Sequence, residues 1–74
     1  MERFFMSRRS AIALIVSARK RLLADAGERP EAEAQPLDDT AAQLERLLLD
    51  VRARRIDAFE LTHPTRLHIT ISAD

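Results

Sequence analysis

The chain has 74 residues and no cysteine, so it makes at most one domain and holds no disulfide or thiolate metal site. Three Phe are its only aromatics, which leaves Leu, Ile, Val and Ala to build the core. Twelve basic and twelve acidic residues cancel overall, but residues 1–21 carry net +5, residues 22–50 net −6 and residues 51–74 net +1.

A domain this short buries only about 60% of its unfolded surface. Small scaffolds add disulfides, a metal or a partner chain to compensate. With thiols absent, a second copy is the expected source of extra buried area. The charge blocks have two readings. The basic block steers an anionic partner to the N-terminus, or the opposite blocks face each other within a dimer.

Residues 1–27 read as a basic amphipathic N-terminal helix. Phe4, Phe5 and Met6 beside Arg8 and Arg9 are what an interfacial membrane helix uses: rings enter the acyl boundary and arginines meet anionic headgroups. Phe4, Phe5, Arg8 and Arg9 are therefore the candidate membrane or anion contacts. A natural start at Met6 instead of Met1 would remove both Phe. The regular helix spans 8–26, with Ala11, Leu14, Ile15, Ala18 and Leu22 on one face and Ile12, Val16 and Leu23 widening it. Ser7 or Ser10 suits the N-cap. Gly27, the single glycine, suits a left-handed C-cap. The apolar run after Arg8-Arg9 is too short for a signal core and far short of a membrane span, so a cytoplasmic protein is expected.

Residues 28–37 hold two prolines and three Glu and read as an acidic linker. Residues 38–74 read as a helix plus β-hairpin that dimerises. The helix runs 39–54, capped by Asp38 or Asp39, with Leu44, Leu47, Leu48 and Val51 as its buried stripe. Strands follow at 56–61 and 66–72, where Leu67, Ile69 and Ile71 alternate with His68, Thr70 and Ser72. Thr62-His63-Pro64-Thr65 makes the turn. Two strands alone leave open edges. Pairing across a two-fold axis would give a four-stranded sheet, with Leu44, Leu47, Leu48, Val51, Leu67, Ile69 and Ile71 as the dimer core. The expected class is α+β: helix, linker, helix, C-terminal hairpin.

Chemistry is sparse. His63 and His68, with Asp57 and Glu60 nearby, are not spaced to converge, so no metal is expected. The chain has no Cys nucleophile, no Gly-flanked Ser and no phosphate loop, so neither catalysis nor a cofactor is expected. Arg8, Arg9, Arg19, Lys20 and Arg21 could face phosphates. Nucleic acid is the lesser expectation, because the linker is too long for a helix-turn-helix turn and no aromatic platform is evident.

Four segments resemble MinE, the bacterial topological specificity factor for cell division. Phe4-Phe5-Met6-Ser7-Arg8-Arg9 is similar to its membrane-targeting start. Ala18-Arg19-Lys20-Arg21-Leu22 is similar to the segment that contacts the MinD ATPase. The helix at 39–54 falls where that family has its main dimer helix, and Leu67-His68-Ile69-Thr70-Ile71 resembles its last strand. Asp57-Ala58 stands where the family has Asp-Pro. The resemblance implies a non-catalytic homodimer that stimulates a membrane-bound ATPase, with Arg19, Arg21 and Leu22 touching that partner and a location at the inner membrane. Two other classes stay open: a nucleic-acid-binding regulator, and a phage-type inhibitor of a host protein.

Overall fold

The structure, a computed structural model, describes residues 2–62 and 65–73. The order is β1 (Glu2–Ser7), α1 (Arg8–Gly27), α2 (Glu31–Arg52), β2 (Ala58–Leu61) and β3 (Leu67–Ala73). The fold is α+β: a helical hairpin backed by a three-stranded sheet of order β1-β3-β2. His63 and Pro64 of the expected turn lie outside the described residues, as does Met1.

The expected C-terminal hairpin is present. β2 pairs antiparallel with β3, setting Phe59 opposite Ile69 and Leu61 opposite Leu67. The third strand was not expected. Residues 2–7, read from the sequence as part of a helix, extend as β1 and pair parallel with β3, Phe4 with Ile69 and Met6 with Ile71. β3 is thus the central strand, and the edge expected to wait for a second chain is filled by the chain's own start. Alternation puts Phe4, Met6, Phe59, Leu61, Leu67, Ile69 and Ile71 on the side facing the helices.

Ser7 caps α1, its hydroxyl accepting from the Ser10 N–H at 3.1 Å. The buried stripe of α1 is Ala11, Ile15, Ala18, Leu22 and Ala26. In α2, Ala34, Ala41, Leu44 and Val51 are buried, and Leu37 and Leu48 pack against the same core. These α2 positions alternate steps of three and four, the spacing of a coiled-coil seam. Alanines recur along both stripes, and small residues let the two backbones lie close. The core joins both stripes to Phe59, Leu61 and Ile69.

The acidic linker at 28–37 is mostly helix. Only Glu28, Arg29 and Pro30 connect α1 to α2. Pro30 is the N-cap of α2, and its carbonyl accepts from the Glu33 and Ala34 N–H groups at 2.9 Å. Glu31 and Glu33 sit in the first turn, where acids suit the positive end of the helix. Pro36 is tolerated inside α2 because only about one turn precedes it, so a single backbone bond is lost.

Gly27 does not take the left-handed conformation: no glycine here has positive φ, and the C-cap is Glu28 at φ −95°. That conformation falls to Arg54, at φ 61°, after α2. There the Arg55 N–H donates to the Asp50 carbonyl at 2.9 Å and the Arg54 N–H to Val51 at 3.1 Å, the paired bonds of a Schellman ending.

Candidate interaction surface

Arg8 is the most constrained polar side chain. It is 8% exposed, at the first position of α1. Its guanidinium donates to the Val51 carbonyl at 2.7 Å, the Ile56 carbonyl at 3.2 Å and Asp57 Oδ1 at 2.7 Å. A cation at a helix N-terminus opposes the helix dipole. Here the side chain reaches the C-terminal end of α2, where the helix dipole favours a cation, and it adds a charged donor to the Val51 carbonyl that already accepts from the Arg54 N–H. One residue therefore fastens the start of α1 to the end of α2 and to the segment that leads into β2. The expectation that Arg8 meets a membrane or anion is corrected, since its donors are committed inside the fold.

Leu22, expected to touch a protein partner, is 1% exposed and belongs to the core. Burial along the α1 stripe explains this, because Leu22 continues the series Ala11, Ile15, Ala18. Arg19 is half-buried, with one guanidinium nitrogen 3.7 Å from Glu45 of α2. Arg9, Lys20 and Arg21 are exposed. The antiparallel hairpin lays the basic α1 beside the acidic α2, so the charge segregation has a counterpart within one chain. Exposed pairs of this kind contribute about 0–1 kcal/mol each.

Of the residues expected at a dimer core, Leu44, Val51 and Ile69 are buried within the single chain, and Leu47, Leu48, Leu67 and Ile71 pack against that core.

Phe4 and Phe5 form no helical apolar face. They are neighbours on a strand and project to opposite sides of the sheet. Phe4 is 43% exposed on the helix side, and Phe5 is 71% exposed on the outer side. β1 is also an edge strand, with one row of backbone groups unpaired within the sheet. The outer face has two rows across the strands: Arg3, His68 and Glu60, then Phe5, Thr70 and Ala58. His68 Nδ1 lies 3.9 Å from Glu60 Oε1.

Among the described residues, no group of three or more His, Cys, Asp or Glu could hold a metal, and no helix is long and apolar enough to cross a membrane.

Sequence reasoning missed two things: the strand identity of residues 2–7 and the anchoring role of Arg8. Neither left a local signal: Arg8 and Arg9 share one first turn without an acid, and Arg9 stays exposed.

Fold and surface define a small α+β protein with an open strand edge beside a helical hairpin. The family model described as "Uncharacterized protein BTH_I2711-like" matches residues 2–72, and the chain belongs to that family. No curated protein matches it, and no solved structure does.

Proposed function

We propose that the chain is a non-enzymatic interaction protein that acts as a homodimer and regulates a protein partner. One observation carries this reading: β1 is an open edge strand with Phe4 43% exposed beside its unpaired backbone. Native edges are usually blunted by proline, inward charge or brevity. β1 has six residues and no proline, and its one charge on the helix side, Glu2, stands at the strand's first position. Two copies paired antiparallel through β1 meet no net repulsion, and the register that sets Phe4 opposite its counterpart adds an aromatic contact on the helix side.

This differs from the four-stranded dimer expected from the sequence. β1 now occupies the free side of β3, so the joined sheet has six strands. The resemblance to MinE extends the reading to a partner, a membrane-associated ATPase met by Arg21, with Arg9 meeting the inner-membrane surface. Both side chains are exposed and available for that role.

Light scattering tests the dimer. The expected mass is twice the chain's 8.4 kDa, falling to the single-chain mass in Phe4→Lys, which sets like charges opposite each other. A single-chain mass for the unsubstituted protein, or a dimer that survives Phe4→Lys, sinks the reading.

A further inference from the structure

The outer face of the sheet is uncovered by either helix. Phe5, 71% exposed, stands on it among polar neighbours. Arg3 and His68 are paired in the adjacent row, Thr70 is opposite Phe5, and Ser72 follows on β3. Arg66, exposed, precedes β3 by one residue. Among the described residues this face has one acid, Glu60, which sits on the far strand and leans toward His68. The β1 side of the face is therefore cationic and aromatic together.

The geometry points to a binding site for single-stranded nucleic acid on this face, with Phe5 stacking one base and Arg3 and Arg66 meeting phosphates. One ring surrounded by arginine, histidine and hydroxyls is too polar for the dry centre of a protein interface. It matches what an unpaired base needs: a planar apolar surface, flanking cations and hydroxyl hydrogen-bond partners. The base pairs of a duplex are stacked and cannot lie flat on an open sheet, so the site selects single strands. Pairing through the β1 edge leaves this face uncovered, so the face and the dimer edge can be used together.

The test is fluorescence anisotropy of the full chain with short labelled oligothymidylate and oligouridylate, and a duplex of equal length. NMR mapping of shifted amides accompanies it. Binding is expected for single strands over duplex, with shifts at Phe5, His68 and Thr70. Phe5→Ala should weaken binding by about tenfold, the effect of removing one base-stacking ring, while Phe5→Trp retains it. Arg3→Gln and Arg66→Gln should each lower the salt dependence by about one phosphate contact. A difference between the two oligonucleotides assigns the site to DNA or RNA. Because Phe5 is exposed, the fold of Phe5→Ala is expected to persist, and circular dichroism checks it. Three outcomes overturn the proposal: no single-strand binding at low salt, binding unchanged in Phe5→Ala, or shifts confined to Arg9, Lys20 and Arg21. Loss of self-association in Phe5→Ala without any nucleic-acid binding assigns the ring to a second copy instead.

Discussion

The two ends of the helical hairpin are built differently. At the sheet end, α1 packs on β1 and β3, Val51 of α2 joins Phe59, Leu61 and Ile69 in one core, and Arg8 ties the parts together with bonds of 2.7–3.2 Å. At the far end, Gly27 to Pro30 turn the chain beyond the sheet, and the nearest buried side chains are Ala26 and Ala34. A buried methyl contributes far less than a buried Ile or Leu, so cohesion per residue falls from one end to the other. Stability need not be uniform along a helix. It follows how much apolar surface each turn removes from water.

Truncation at the sheet end should break this contrast most strongly. Ile69 is fully buried at the centre of β3. Ile69→Ala is expected to cost about 3 kcal/mol in urea unfolding, a large share of the stability of so small a domain. Arg8→Ala comes next, at about 2–3 kcal/mol. It removes the charged donor of the Ile56 carbonyl and of Asp57, while the Val51 carbonyl keeps the Arg54 N–H. Arg8→Lys should recover only part of the loss, because an ammonium cannot span three acceptors as a guanidinium does. A cost below about 0.5 kcal/mol for Arg8→Ala would mean that water replaces the side chain freely, which contradicts its burial.

Substitutions at the far end should sharpen the contrast by stabilising. Pro36→Ala restores a backbone donor inside α2 and is expected to gain about 1 kcal/mol. Gly27→Ala should gain about 0.5 kcal/mol, since its φ is not positive and an added Cβ meets nothing within 4 Å. Destabilisation by either would show that the hairpin turn has a geometry other than the one described. Hydrogen exchange gives a finer reading. Amides of residues 31–35 and 37 should exchange well before those around Leu44 and Val51, and Pro36→Ala should slow them selectively.

Much of the architecture is legible along the chain. The alternation at 67–72, the apolar stripe of 8–26 and the Ser7 cap follow from local chemistry, and the structure has them. The acidic segment 28–37 reads as a linker because it holds two prolines and offers little to bury. Yet Pro30 lies outside the first turn, and Pro36 lies close enough to it that α2 forms around both. The expected surface residues divided the same way. Arg9 and Arg21 stayed outside, while Arg8 and Leu22 went in. Nothing local separates Arg8 from Arg9. The difference is that Arg8 points back at the end of a helix more than forty residues later.

Sequence by itself determined the α+β class, the position of α1, the hairpin of β2 and β3, and the aliphatic character of the core, because periodicity and capping act within a few residues. Only the tertiary structure decided that residues 2–7 are a strand, that they fill the free side of β3, that the basic and acidic blocks lie side by side, and that Arg8 is an internal anchor. Each of these depends on a partner distant in the chain, and local periodicity and capping carry no information about such partners.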